Sequence, residues 1–214
     1  MKIAPSLLAA DFLHLENDLQ LVNRAGDILH LDIMDGTLVP NISFGFSVLE
    51  ALPGVVTVPM DVHLMTVEPQ QWFEKVARCG AAMCSFHLEA SGRRASKFID
   101  AIHSFGMKAG LAIDPDIPVR KLYPYIGKAD YFLVMSVFAG FGGQKFIPET
   151  LDRVKALKAE IAARGASPLV EIDGGVNLEN APLVREAGVD IAVAGSTVFK
   201  SSDPEATVRA LRGA

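Results

Sequence analysis

The chain alternates short, almost wholly apolar runs with longer stretches in which apolar residues recur three and four positions apart. The short runs read as buried strands and the longer ones as amphipathic helices. Eight strand cores stand out: IAPSLLA (3–9), ILHLDIM (28–34), PMDVHLM (59–65), MCSFHLE (83–89), KAGLAID (108–114), YFLVMSV (131–137), LVEIDGG (169–175) and IAVAGST (191–197). Four helical stretches end in glycine directly before a strand, at Gly26, Gly80, Gly106 and Gly188. Glycine takes the left-handed conformation that closes a helix, so these read as C-caps. Asp11, Glu68-Pro69, Pro148-Glu149 and Asp203-Pro204 read as helix starts, supplying caps, first-turn prolines or first-turn acids.

Strict alternation of strand and helix predicts parallel strands joined by right-handed crossovers. Eight such units predict an α/β fold, a single (β/α)8 TIM barrel spanning residues 1–214. An open doubly wound sheet is the alternative, but APSLLAAD stands where its GxGxxG fingerprint would follow the first strand. No linker or second domain interrupts the pattern.

Half of the residues are apolar and 21% are charged, which excludes disordered and collagen-like classes. A formal net charge of −5 gives no long-range attraction to nucleic acid or anionic lipid, so neither is expected as a partner and any phosphate site must be local. The opening MKIAPSLLAAD is broken by Pro5 and reaches a charge at Asp11, too short a run for a signal segment. Cys79 and Cys84 match neither a CxxC pair nor a zinc knuckle. They are expected to be free, packed thiols in a reducing cytoplasm.

In a barrel, catalytic side chains sit at the C-terminal strand ends and in the loops that follow. That rule selects His30 and Asp32, which strand alternation points into the same space, His63 on the next strand, and Asp173 at the end of the seventh. Two imidazoles and two carboxylates form a mixed N/O set for one divalent metal ion, Zn²⁺ first, with Fe²⁺, Mn²⁺ or Co²⁺ as alternatives. Gly140, Phe141, Gly142 and Gly143 after the sixth strand leave the backbone bare, so that amide N–H groups can approach an anion. Gly174-Gly175 and Gly195-Ser196 repeat the device, where tight turns alone are the plainer reading. Met34, Met65 and Met135 lie near strand ends and are either core filling or an active-site wall. His87 and Glu89 on the fourth strand either support the site or pack structurally, and His14 and His103 fall on helices.

The stretches IAPSLLAAD, HLDIMDGTLVPNISFG, DVHLM, FHLEA, MKAGLAI, GFGGQKFIP, EIDGGV and AGSTVF together resemble the ribulose-phosphate 3-epimerase family along the whole chain. The resemblance implies a metal-dependent isomerase of the pentose phosphate pathway that inverts C3 of a ketose phosphate, D-ribulose 5-phosphate to D-xylulose 5-phosphate, through an enediolate. It implies His30, Asp32, His63 and Asp173 as metal ligands, with Asp32 and Asp173 also exchanging the proton. Ser6 and His63 follow as substrate contacts, the three methionines as a wall around the reacting carbon, and a homo-oligomer as the assembly. The chemistry of the residues agrees, because inverting a centre next to a carbonyl takes a proton from one face and returns one to the other. Strands two and seven lie three steps apart around an eight-strand ring, so their carboxylates can flank a substrate, and a metal stabilises the developing charge as a Lewis acid.

Two places depart from the family pattern. Thr37-Leu38 stands where the family has His-Phe, and Phe138-Ala139 replaces an acidic or amide residue followed by Pro, a loss expected to loosen that loop. A six-carbon substrate such as allulose 6-phosphate is the neighbouring reading. A barrel decarboxylase would carry Asp-x-Lys-x-x-Asp, whereas Asp32-Ile33-Met34-Asp35 lacks the lysine. A non-catalytic sugar-phosphate-binding barrel is disfavoured by the intact pair of carboxylates.

Overall fold

Eight parallel strands make one sheet: β1 (Lys2–Pro5), β2 (Leu29–Met34), β3 (Met60–Met65), β4 (Met83–His87), β5 (Lys108–Ile113), β6 (Tyr131–Met135), β7 (Leu169–Asp173) and β8 (Ile191–Ala194). They pair in the order β1-β8-β7-β6-β5-β4-β3-β2. A single parallel bridge between Ser6 and His30, with Asp27 N–H donating to the Ile3 carbonyl at 3.0 Å, draws β1 and β2 together and nearly closes the ring. This computed structural model describes residues 1–213. Around the sheet run helices α1 (Leu15–Ala25), α2 (Phe46–Leu49), α3 (Phe73–Arg78), α4 (Leu88–Ser91), α5 (Ala95–Ser104), α6 (Thr150–Ala163), α7 (Ala181–Glu186), α8 (Ser196–Phe199) and α9 (Pro204–Arg212). Among the described residues no helix is long and apolar enough to cross a membrane.

The strands read as continuous apolar runs because helices cover one face and the barrel interior the other. Ile3, Leu31, Val62, Phe86, Leu111, Val134 and Ile172 belong to the core cluster under the helices and are fully or nearly fully buried. Alternate residues point inward. Toward the N-terminal end Ala4, Ile28, Met83, Tyr131 and Ile191 plug the barrel, and Val193 continues this cluster up to the level of Asp173. Tyr131 fits only because position 110 has no side chain: a Cβ on Gly110 would stand 2.2 Å from the Tyr131 ring. Above this plug the interior turns polar.

The structure corrects several local expectations. Most strands end earlier than their apolar runs, since the last residues already turn into the loops. Ser6, for example, caps a 3-10 turn at Leu7–Ala9, its Oγ accepting from Leu8 N–H, and Glu89 lies on α4, not on the strand. Gly80, Gly106 and Gly188 have φ of 79°, 81° and 89°, as a left-handed cap requires, but Gly26 has φ −72°. Its role is close packing, as a Cβ would lie 3.0 Å from Val22 Cγ1 and 3.1 Å from Pro5 Cδ. Asp11 does not cap α1. It accepts from Leu13 N–H and pairs with His14 in the preceding turn, which places His14 before the helix. Asp203 does cap α9, accepting from Ala206 N–H at 2.9 Å with Pro204 next. Cys79 and Cys84 are free and buried.

Candidate active site

Register builds the site. Asp32 on β2 stands opposite His63 on β3, and His30 opposite Asp61, while Met135 on β6 stands opposite Asp173 on β7. Because alternation points i and i+2 the same way, His30, Asp32, Asp61, His63, Glu171 and Asp173 all enter the barrel.

Four atoms face one point. Asp32 Oδ1 lies 3.3 Å from both His30 Nε2 and His63 Nδ1, and Asp173 Oδ2 lies 3.9 Å from the same two nitrogens. One ligand atom from each of the four residues falls within 4.8 Å of the others. His30 Nε2 is fully buried and has no hydrogen-bond partner, a costly state for a polar atom unless something else satisfies it. A cation satisfies it, and the two-nitrogen, two-carboxylate set suits a divalent transition metal. The residues therefore fit such an ion.

Further polar groups stand behind these four candidate ligands. His30 Nδ1 lies 2.9 Å from Asp61 Oδ2, and Tyr131 donates its hydroxyl to Asp61 Oδ1 at 2.5 Å. Ser6 Oγ donates to Asp32 Oδ2 at 2.7 Å, and His63 Nε2 lies 2.9 Å from His87 Nε2. Such outer partners set ring orientation and tautomer in metal sites.

Charge follows from burial and neighbours. Burial works against ionised Asp32, but His30 and then His63 outweigh it and hold the carboxyl well below its usual range. Burial opposes a charged His30 as well, yet Asp32 and Asp61 raise its pKa. Burial takes His63 down to about 4 against the pull of Asp32. Asp173 is pushed up to about 7, by burial first and the Asp32 charge second. Glu171 is pushed far up by burial and then by Asp61, and both its oxygens lack partners. Asp61 and Glu171 were missed by sequence reasoning, although each stands two residues before a selected ligand, so the alternation rule reaches them too.

Above the four candidate ligands opens a small cavity. Asp32, Asp173, Ser6, Met34, Met65 and Met135 line it, together with Gly140, Phe141, Gly142, Gly143, Gly174, Gly175, Gly195 and Ser196. His30 and His63 lie beneath, with no exposed surface. The four candidate ligands, the three methionines and the glycine segments thus converge on one mouth, whereas His14 and His103 lie away from it. Gly174 and Gly175 also have a packing reason: their φ values are 113° and 66°, and Cβ atoms would meet Val137 at 2.2 Å and Phe146 N at 2.5 Å. At Gly143 a Cβ would meet nothing within 4 Å, and at Gly142 only Leu8 at 3.9 Å, so that loop is bare toward the cavity.

The two departures acquire structural accounts. Thr37 Oγ1 donates to Asp35 Oδ1 at 2.6 Å and accepts from Val67 N–H at 3.1 Å, tying the loops after β2 and β3. Leu38 packs against the cluster of Met34, Val39 and Met65. Ala139 donates its N–H to Asp114 Oδ1 at 3.1 Å, a bond that proline lacks the hydrogen to make. Gln144 Nε2 donates to the Phe138 and Phe141 carbonyls. The loop is thus tied by hydrogen bonds instead of by a fixed φ. Phe138 itself is half exposed at the cavity rim.

Comparison with known proteins places this architecture. The chain covers 99% of itself and 95% of KGPDC from Streptococcus mutans with a TM-score of 0.72 at 13% identity. N-(5'-phosphoribosyl)anthranilate isomerase from Pyrococcus furiosus superposes with a TM-score of 0.68 at 18% identity over the full length of both chains. At such identities these likenesses show the barrel fold. Sequence relatives say more. A Mycobacterium tuberculosis (strain ATCC 25618 / H37Rv) protein named ribulose-phosphate 3-epimerase is 45% identical over 210 residues, 98% of this chain and 91% of that protein. One of the same name from Bacillus subtilis (strain 168) is 42% identical over 215 residues, 100% of this chain and 99% of that protein. Residues 2–199 match the family described as the ribulose-phosphate 3 epimerase family. The chain therefore belongs to the ribulose-phosphate 3-epimerase family.

Proposed function

We infer that the protein epimerises D-ribulose 5-phosphate and D-xylulose 5-phosphate at C3 by two-base proton transfer. The observation that carries this reading is the pair Asp32 and Asp173, on strands three steps apart around the ring, both lining one cavity. C3 lies next to the C2 carbonyl, so its proton is acidic enough for a positioned carboxylate to remove, giving an enediolate. Asp32 takes the proton from ribulose 5-phosphate on one face and Asp173 returns one on the other; the roles exchange in the reverse direction. Ser6 Oγ donates to Asp32 Oδ2 and holds that carboxylate in place, and as a cavity-lining hydroxyl it also reaches substrate. Met34, Met65 and Met135 form a polarisable wall that keeps water from the reacting carbon.

A divalent cation, Zn²⁺ first among the candidates, would be held by His30, Asp32, His63 and Asp173 and supply Lewis acidity toward charge developing on the substrate oxygens. The phosphate end falls to Gly140–Gly143, Gly174-Gly175 and Gly195-Ser196. Among the described residues no Lys or Arg lines the cavity, so backbone amides would carry the anion. That same absence weighs against the decarboxylase chemistry, which needs a cation to protonate its carbanion. Met34 stands at the wall in that position, and the Asp35 carboxylate is engaged with Thr37.

The test is a side-by-side assay of D-ribulose 5-phosphate and D-allulose 6-phosphate in D₂O with metal-loaded protein. The pentulose phosphate is expected to gain deuterium at C3 and to turn over faster. No deuterium in either substrate would remove the epimerase reading, and faster turnover of the six-carbon sugar would reassign the substrate.

A further inference from the structure

His87 ends β4 buried, with 1% of its surface exposed, and no step of the proton transfer uses it. Its ring meets that of His63 edge to edge and nearly parallel, at an interplanar angle of 17°, with the two Nε2 atoms 2.9 Å apart. Its Nδ1 has no hydrogen-bond partner and is aimed at Glu89, whose Oε1 lies 3.8 Å away. His87, Glu89 and Asp114 each place a ligand atom within 4.8 Å of the others. Taken alone, these three would form a second cation site.

Counting hydrogens excludes that. A neutral imidazole has one N–H and one lone pair. His63 turns Nδ1 toward Asp32 and Asp173, so the lone pair belongs there if it is to ligate a metal, and its Nε2 carries the hydrogen. Two nitrogens at 2.9 Å hold one hydrogen between them. His87 Nε2 must then accept, which leaves the hydrogen of His87 on Nδ1, facing two carboxylates and unable to bind a cation.

We propose that His87 is a positioning residue: it is the acceptor that fixes His63 in the tautomer whose Nδ1 faces the metal position, with the negative charge of Glu89 and Asp114 favouring the hydrogen on His87 Nδ1 in turn. The inference rests on the reading of His63 as a metal ligand. It also links two parts of the site, because the Asp114 carboxylate that ends this chain accepts from Ala139 N–H at the root of the glycine loop, and Glu89 Oε1 accepts from Asp114 N–H at 3.0 Å.

Two near-isosteric substitutions separate this role from mere packing. In His87→Gln the amide oxygen can occupy the place of Nε2 and still accept from His63, whereas the shorter side chain of His87→Asn reaches only the place of Nδ1. Zn²⁺ affinity is measured by competition with a chromophoric chelator, melting curves verify folding, and ¹⁵N–¹H NMR of the zinc-free protein reads the His63 tautomer. The expected result is that His87→Gln binds Zn²⁺ within about threefold of the parent while His87→Asn binds it roughly 10–100-fold more weakly. His63 is expected to be protonated at Nε2 in the parent and in the Gln variant, and mixed in the Asn variant. Equal affinities for the Asn variant and the parent, or a His63 protonated at Nδ1 in the parent, would overturn the proposal. A parent that binds no Zn²⁺ would instead remove the metal-ligand reading, and the His63 tautomer in the Asn variant would still decide the role of His87.

Discussion

Asp173→Asn separates the two halves of an inversion. The substitution replaces one oxygen by an amide of nearly the same size, in a side chain only 15% exposed. The backbone carbonyl of residue 173, which accepts from Ser136 N–H and Oγ at 2.8 Å each, is untouched, so the fold should survive. What disappears is a proton carrier on one face of the substrate. A positioned acid/base group contributes about 10²–10⁴-fold, or about 2.7–5.4 kcal/mol at 1.36 kcal/mol per decade, and epimerisation should fall by that factor. Asp32, still braced by Ser6 at 2.7 Å, should continue to remove and return the C3 proton from its own face. Proton NMR of D-ribulose 5-phosphate in D₂O would therefore show deuterium entering C3 without xylulose 5-phosphate accumulating. Metal content must be verified, since Asp173 Oδ2 lies near both ligand nitrogens. If the metal-loaded variant keeps more than about a tenth of parental epimerisation, well above the range expected for a lost acid/base group, Asp173 is not the second base.

Four further expectations follow from the same geometry. Gly110→Ala should drive a Cβ into the Tyr131 ring, combining overpacking at about 1–3 kcal/mol with loss of the Tyr131–Asp61 bond at about 1.5–3 kcal/mol; a denaturant-measured loss below about 1 kcal/mol would refute the packing account. Ala139→Pro sets about 0.4–1 kcal/mol of unfolded-state entropy against a bond to a carboxylate of about 1.5–3 kcal/mol, so the variant should be less stable, and a raised melting temperature would contradict this. Burial first, and Asp61 second, lift the Cys84 thiol well above its usual range, so the folded chain keeps that proton where the unfolded chain loses it. Stability should therefore be full below about pH 8.5 and decline above it by up to about 1.36 kcal/mol per pH unit from this group, and Cys84→Ala should flatten the slope between pH 8.5 and 10 in unfolding titrations. Chelation should silence turnover and lower the melting temperature, since an ion bound only by the folded state stabilises it; full activity after verified removal would sink the metal reading.

Much of this was legible in the sequence because it is local. Strand alternation puts His30 with Asp32 on one face, and the helix-glycine-strand rhythm implies parallel strands whose C-terminal ends gather at one mouth. The same rule would have yielded Asp61 and Glu171, since each stands two residues before a ligand already chosen. Where local signals misled, packing decided: Gly26 is small because Val22 and Pro5 press on it, and the strands stop where the loops take their last residues. The contacts that make the site work join distant segments. Ser6 meets Asp32 across 26 residues, His63 meets His87 across 24, and Ala139 meets Asp114 across 25. Which side chains share a face follows from the period of a strand, which is written in the chain. Which faces meet, and at what height, follows from inter-strand register and ring closure, and those are set only when all eight strands pack together.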